Sequence, residues 1–462
     1  MQLCLKFKNG VDDLSNKGIS SDLINRFKTE YSERKESKVL ERTVTKNGIL
    51  ASSQDLRADI QSTPVFSIDL QTGDVSNQKQ SGRCWMFAAL NTMRHDMKDH
   101  FRVKGDFELS QNYTFFWDKF EKSNWFYENI IQTAALDTDD RKVAWLLNEP
   151  QGDGGQWDML CALIEKYGIV PQSVYPETYS SSKSREFDTL LNEKLRKDAV
   201  TLRELVNAGT SEPEVQARKE KMLSEVYRMA SYSFGEPPVE FDWEFRDDDK
   251  NYHREAGITP KEFFKKYVGW DLKEYVSLIN APTTDKPFDQ TYSIEMLGNV
   301  VGGRQVKHLN LSMHDVKRAA INQLKAGKSV WFGSDVGQHS EPREKGILDL
   351  DIFAEDELFD IDIAMSKAER LDYKESLMTH AMVITGVDLV DDKPTKWKVE
   401  NSWGDKIGQK GYMVMSDAWM DEYVYQVVVE KQYLTEAQRE AQSGEPVQLK
   451  PWDPMGALAY KD

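Results

Sequence analysis

Hydrophobic positions follow two different periods along the chain. In the first half, apolar residues recur every three or four positions, which predicts amphipathic helices. One such helix covers about residues 84–100, a second covers 157–167, and about residues 184–232 have the pattern of a helical hairpin. Gly168 directly follows the second helix and is its expected stop signal.

The turn of the hairpin carries its own signals. Gly209 is the expected end of the first helix. Ser211 followed by Glu214 predicts a capping box, with Pro213 in the first turn of the second helix. We expect the apolar stripes of both helices to pack in the core.

From about residue 328 the pattern changes to short runs rich in β-branched and aromatic residues, separated by Gly and Asp. These runs predict strands over 329–333, 381–385, 396–400, 411–415 and 423–429. A helical part therefore precedes a β part, which indicates an α+β fold. The polar residues 1–65 are expected to form an N-terminal arm, and residues 436–462 a C-terminal arm.

Composition excludes several classes of protein. The net charge of −17 disfavours nucleic-acid binding, because an acidic chain repels phosphate backbones. No apolar run approaches the length of a membrane helix, and the N-terminus lacks the apolar segment of a signal peptide. The three cysteines, an odd and sparse count, favour reduced thiols in the cytoplasm. Metal-binding and P-loop motifs are missing, so we expect no metal and no cofactor.

The candidate chemistry centres on Cys84, in the first turn of its helix, where backbone N–H groups favour a thiolate. A lone cysteine in a helix is usually a small core residue. Whether Cys84 is instead a nucleophile therefore depends on the other residues of the candidate site. The side-chain amide of Gln78, with the N–H of Cys84, can form an oxyanion hole. His380 can accept the thiol proton, and Asn401 can orient the imidazole. Trp403 can shield that pair from water.

These pieces, in this order and with these neighbours, resemble the papain-like cysteine peptidases. The matching residues are Gln78, Cys84-Trp85, His380-Ala381 and Asn401-Ser402-Trp403-Gly404. The segment 152–159, with glycines at 152, 154 and 155, resembles the glycine-rich wall of the papain cleft, although a simple helix-entry loop is the alternative. Such a wall pairs with substrate backbone as a strand does. Asp153 interrupts the glycines and leaves open which of them touches substrate.

Two differences from papain itself point to a subgroup of the papain-like peptidases. Ser81 stands where secreted members often carry a cysteine, which agrees with a reducing compartment. His380 lies 296 residues after Cys84, whereas simple papain-type enzymes need roughly 130–150. The extra residues coincide with the helical hairpin and with residues 235–310.

End to end, the chain resembles the family of bleomycin hydrolase and bacterial aminopeptidase C. The resembling stretches are residues 77–85, 152–160, 245–252, 375–382, 399–404 and 452–459. The resemblance implies a papain-like two-lobed fold, with a helical lobe, an antiparallel β-barrel lobe and large helical insertions. We assign residues 66–183 to the helical lobe with the nucleophile, 184–310 to a mostly helical insertion, and 311–435 to the barrel lobe with the histidine and the asparagine.

The same resemblance implies how the site is used. Family members form homohexamers, and their C-terminal arm lies in the cleft, where its carboxylate receives the α-amine of a peptide substrate. We therefore expect a substrate-binding set of Gly154, Gly155, Gln156, Trp403 and Ala459. This chain continues past the position of that carboxylate to residue 462, so we expect trimming or an altered selectivity.

The leading hypothesis is a cytosolic thiol aminopeptidase that acts on peptides through Cys84, His380, Asn401 and Gln78. An endopeptidase is the alternative if the C-terminal arm does not block the cleft. A binding protein on an inactive peptidase scaffold is a second alternative. The complete catalytic set and the acidic charge argue against it.

Overall fold

The structure, a computed structural model, describes residues 18–101 and 107–457, and of residues 98–100 only the backbone. The chain divides into two compact units. The smaller unit combines the residues up to Asp55 with Phe353–Ile363, and the larger unit combines Leu56–Ile352 with the chain from Ala364 onward. All four predicted catalytic residues belong to the larger unit.

Helices occur in both units, and most of them are short. Those in the described residues are α1 (Ser21–Glu33), α2 (Ser37–Asn47), α3 (Ile49–Ser53), α4 (Leu56–Gln61), α5 (Cys84–Phe101), α6 (Gln111–Gln132), α7 (Arg141–Asn148), α8 (Trp157–Tyr167), α9 (Tyr179–Ser182), α10 (Arg185–Asn207), α11 (Glu212–Phe234), α12 (Pro260–Phe263), α13 (Met313–Lys325), α14 (Glu355–Phe359), α15 (Lys367–Asp372), α16 (Asp417–Tyr423) and α17 (Glu436–Ser443). Nowhere in these ranges does a helix combine the length and the apolar character needed to cross a membrane.

Strands are concentrated in the second half of the chain. They are β1 (Ile68–Asp69), β2 (Phe241–Arg246), β3 (Tyr252–Ile258), β4 (Tyr275–Ile279), β5 (Gln290–Ile294), β6 (His308–Asn310), β7 (Val330–Ser334), β8 (Ser340–Glu341), β9 (Ile347–Leu348), β10 (His380–Val390), β11 (Lys393–Glu400), β12 (Tyr412–Ser416), β13 (Val424–Glu430) and β14 (Val447–Leu449). Twelve of them form one sheet in the order β14-β5-β6-β4-β13-β7-β10-β11-β12-β9-β8, with β1 beside β10, and β2 and β3 form a separate hairpin.

The smaller unit is a helical cluster. Its helix α14 packs against α3, and the N–H of Ala354 donates a hydrogen bond to the carbonyl of Ser53. Arg34 pairs with Asp360. Helix α1 begins after the cap residue Ser20, and none of its residues is buried.

The central strands of the large sheet lie between two hydrophobic cores. Side chains alternate between the faces of a strand, and in β7 Trp331 belongs to one core and Phe332 to the other. Strand β10 repeats this alternation with Ala381 and Met382. The first core contains Cys84 and much of α5, α6 and α8, so the nucleophile helix packs on one face of the sheet.

Most of the predicted elements are confirmed. The helices expected over 84–100, 157–167 and 184–232 are present, as are all five strands expected after residue 328. The capping box is wrong, because Ser211 makes no side-chain bond to the backbone and instead donates to the carboxylate of Glu214.

Two features of the sheet were not expected. The segment 235–310 contributes five strands, three of which join the large sheet. That sheet is also not purely antiparallel, because β4 with β6, β5 with β14, and β9 with β12 pair in parallel.

Candidate active site

Buried polar contacts fix the turn before Cys84. Arg83 is fully buried, and its guanidinium donates two hydrogen bonds, of 2.9 and 2.8 Å, to the carboxylate of Glu177. Its Nε donates to Ser81 Oγ at 2.8 Å. This ion pair anchors the residue that directly precedes the nucleophile. Sequence reasoning missed it because Glu177 lies far along the chain and carries no motif.

The sulfur of Cys84 lies beside the start of strand β10. The backbone N–H of Ala381 donates a hydrogen bond to Cys84 Sγ at 3.4 Å. Helix α5 packs against β10, whose first residue is His380. The predicted nucleophile and the predicted base therefore lie on two elements in direct contact.

His380 and Asn401 form a buried hydrogen-bonded pair. His380 Nε2 lies 2.8 Å from Asn401 Oδ1, which also accepts a bond of 2.7 Å from the N–H of Ser402. The ring of Trp403 lies 4.9 Å from the imidazole, centroid to centroid, at an angle of 33°. Because Nε2 bonds Asn401, Nδ1 is the ring nitrogen that remains for exchanging a proton with a thiol.

Gln78 links the nucleophile turn to the segment after Asn401. Its side-chain N–H group donates to the carbonyl of Ser81 at 2.7 Å, and its side-chain oxygen accepts from Ser402 Oγ at 2.6 Å. The backbone N–H of Gln78 also donates to the carbonyl of Ser402 at 2.8 Å. The structure thus brings the four predicted catalytic residues into one connected group, in which Ser402 is an additional member.

A buried carboxylate makes a second link between the two halves of the site. Glu400, the residue before Asn401, lies 3.2 Å from His95 Nε2 and 3.4 Å from Arg94 Nη2, both on helix α5. Thr72 Oγ1 donates to it at 2.7 Å. Burial opposes ionisation, but the neighbouring His95 and Arg94 lower the pKa of Glu400 below its ordinary value.

The glycine-rich segment lies against the residue after the nucleophile. A Cβ atom on Gly155 would come within 2.5 Å of the Trp85 ring, so only glycine fits there. Gly154 and Gly155 are both buried. The ammonium of Lys122 donates to the carbonyls of Gly152 and Gly154 at 2.9 and 2.6 Å, so both oxygens already have a partner within the protein.

The C-terminal segment also reaches the glycine-rich wall. The side-chain N–H group of Gln156 donates a hydrogen bond of 2.7 Å to the carbonyl of Ala457. Gln156 therefore joins the wall to the last residues that the structure describes. The predicted substrate-binding residue Ala459 lies outside the described residues.

Known proteins similar to this chain cover nearly all of it. The model of the Peptidase C1-like family matches residues 18–456. Aminopeptidase C of Lactobacillus delbrueckii subsp. lactis is 56% identical over 96% of this chain and 99% of that protein. Aminopeptidase C of Listeria innocua is 54% identical, also over 96% of this chain and 99% of that protein. The crystal structure of PepW from Lactobacillus rhamnosis HN001 is 62% identical and superimposes with a TM-score of 0.95, over 96% of this chain and 100% of that one.

Together, the mixed helix–sheet fold and the site define a papain-like protein. The chain belongs to the Peptidase C1-like family. The predicted resemblance to the bleomycin hydrolase and aminopeptidase C family is confirmed, and so is the prediction that the chain is an enzyme, a cysteine aminopeptidase.

Proposed function

We propose that the chain is a cytoplasmic thiol aminopeptidase, which releases the N-terminal residue of peptides through an acyl-enzyme on Cys84. One observation carries the proposal: the sulfur of Cys84 accepts a hydrogen bond from Ala381, and the residue before Ala381 is the histidine that bonds Asn401. A nucleophile, a base and an orienting amide in this arrangement are the components of covalent acyl transfer.

In the proposed reaction, His380 Nδ1 accepts the thiol proton while Asn401 holds Nε2. The Cys84 thiolate attacks the carbonyl of the first peptide bond, and the developing oxyanion accepts hydrogen bonds from the N–H of Cys84 and the amide of Gln78. His380 then gives its proton to the leaving amine. Water, activated by the same imidazole, hydrolyses the acyl-enzyme and restores the thiol.

The proposed cleft is bounded by two lobes. We assign residues 66–183 to a helical lobe, 311–435 to a β-barrel lobe and 184–310 to an insertion between them. The second core is built almost entirely from residues 311–435, which supports a separate lobe for that segment. Within the cleft, Gly154 and Gly155 are proposed to line substrate backbone, and Trp403 to cover the catalytic histidine.

Selectivity for a free N-terminus is proposed to come from the C-terminal arm. The hydrogen bond from Gln156 to Ala457 supports an arm that runs along the non-primed side of the cleft. A carboxylate near Ala459 would pair with the substrate ammonium, because a charge-assisted pair is stronger than a neutral one. Peptides with more residues before the scissile bond would then be excluded.

A pair of matched peptides tests this selectivity. We expect hydrolysis of a peptide with a free N-terminus and little or none of its N-acetylated form, by enzyme whose C-terminal residue has been determined by mass spectrometry. Equal rates on both peptides would show an endopeptidase instead.

We also propose that the chain forms a homohexamer. Helix α1 exposes Ile24, Phe27 and Tyr31 at helical spacing, which supports an interface on that helix. Sedimentation equilibrium measures the mass directly, and a monomer at micromolar concentration would contradict the assembly. Peptides are the proposed partners, and the charge of −17 disfavours nucleic acids.

A further inference from the structure

A buried cluster of charges lies behind the glycine-rich wall. The ammonium of Lys119, which is fully buried on α6, lies 2.7 Å from Asp153 Oδ1 and 2.5 Å from Asp188 Oδ1. It also donates to the side-chain oxygen of Gln151 at 2.8 Å. Asp153 is the residue that interrupts the glycines, and the reaction described above gives it no role.

Asp153 contacts the chain on both sides of Cys84. Its Oδ2 accepts a hydrogen bond of 2.8 Å from the N–H of Gly82, two residues before the nucleophile. Its backbone carbonyl accepts a bond of 2.8 Å from the indole N–H of Trp85, the residue after the nucleophile. Ser184 Oγ donates to the same Oδ2 at 2.5 Å.

We propose that Asp153 is a positioning residue: held by Lys119, it fixes the turn from Gly82 to Trp85 and thereby the sulfur of Cys84. The inference rests on the proposed role of Cys84 as nucleophile. Asp153 does not touch the reacting atoms. It acts through the backbone that carries them, and misplacement of a reacting group by about 1 Å can cost about a hundredfold in rate.

The two carboxylate oxygens of Asp153 contact different groups, which explains why position 153 requires a carboxylate. Oδ1 faces the ammonium of Lys119, while Oδ2 faces the two donors Gly82 and Ser184. An asparagine has one acceptor oxygen, so it would turn an N–H group toward either a cation or two donors. Burial alone would raise the pKa of Asp153, but the charge of Lys119 lowers it overall and keeps the carboxylate ionised.

Asp188 is a matched control within the same cluster. It binds the same ammonium, and Gln151 Nε2 donates to the same oxygen at 3.3 Å. Asp188 also hydrogen-bonds the carboxylate of Asp153. An amide in its place can still offer one oxygen to Lys119 and an N–H group to Asp153, which continues to pair with that lysine. If the cluster only stabilised the fold, the two asparagine variants would behave alike.

The experiment compares Asp153→Asn with Asp188→Asn in the full chain. The readout is the rate at which iodoacetamide alkylates Cys84, followed by the mass of the peptide that carries it, together with kcat on a free-amine peptide. We expect Asp153→Asn to slow alkylation and lower kcat by about tenfold or more, with a smaller change in KM. Asp188→Asn should alkylate at the wild-type rate.

The proposal is overturned if the two variants are alkylated at equal rates, whether both rates are lower than in the wild type or both are unchanged. It is also overturned if only Asp188→Asn is alkylated more slowly. If Asp153→Asn does not fold, Ser184→Ala removes one of the two donors to Asp153 Oδ2 and leaves the carboxylate in place. Slower alkylation in that variant supports the proposal, and an unchanged rate overturns it. Wild-type enzyme that is alkylated rapidly but cleaves no peptide would instead contradict the proposed function.

Discussion

The backbone N–H of Ala381 donates a hydrogen bond to the sulfur of Cys84 across 3.4 Å. A donor aimed at sulfur favours the thiolate over the thiol, because it stabilises the charged form. The backbone N–H groups at the start of helix α5 also favour the thiolate of Cys84. Strand β10 therefore supplies both the proposed base, His380, and a hydrogen bond to the proposed nucleophile.

Replacing Cys84 by Ala or Ser is expected to abolish turnover, with a loss of about a thousandfold or more. The side chain is small and buried in the first core, so either substitution should leave the fold intact. Hydrolysis rates and thermal unfolding, measured on the same samples, check both statements. Activity retained in either variant would rule out the proposed mechanism.

Ser402→Ala is expected to weaken the proposed oxyanion hole without changing the nucleophile. Ser402 Oγ donates to the side-chain oxygen of Gln78 at 2.6 Å, and without this bond the amide is held only at its nitrogen, by the carbonyl of Ser81. We expect kcat to fall by about tenfold, while the rate of Cys84 alkylation stays constant. Ser443→Ala, which removes an exposed hydroxyl on α17, is the control. Slower alkylation in Ser402→Ala would contradict this assignment.

Gly155→Ala should displace the Trp85 ring, because the new Cβ would lie 2.5 Å from it. Overpacking of this kind costs about 1–3 kcal/mol. Both the free energy of unfolding and kcat/KM should decrease. In the control Gly337→Ala the new methyl group meets no atom within 4 Å and should be neutral. Equal unfolding midpoints for the two variants would refute the packing argument.

Glu400→Gln should destabilise the protein by about 3 kcal/mol near neutral pH, because Arg94 and His95 lose a buried anion. The pKa of Glu400 is lowered from its ordinary 4.5, so its contribution to stability is complete above that value. The contribution decreases as the pH falls from 4.5 toward the lowered pKa. We therefore expect urea unfolding to give a smaller difference in the free energy of unfolding between wild type and variant at about pH 3.5 than at about pH 7. A constant difference would contradict the linkage.

The sequence predicted helices and motifs well where the signal is local. Helix α8 ends at Tyr167, as expected, because Gly168 adopts a positive φ that stops it. Strand β10 was recognisable from its apolar, β-branched run. In contrast, β4 and β6 are short and wholly buried, and such runs lack the alternation that distinguishes a strand from a helix.

The polar network of the site could not be predicted in the same way. Lys119, Asp153 and Asp188 lie on three separate segments, and folding alone brings their charges together. Glu400 is next to a recognised motif, yet its partners on α5 lie about 300 residues earlier in the chain. The motif indicated which residues carry the chemistry. The contacts that hold these residues in place join segments far apart in the chain, so the motif does not reveal them.

The alternation in β7 has a consequence for how the enzyme denatures. Trp331 and Phe332 are neighbours in one strand but belong to different cores. Unfolding of that strand removes a side chain from both cores at once, so heat or urea is expected to disrupt the two cores together. The larger unit is therefore expected to lose its tertiary structure in one concerted step.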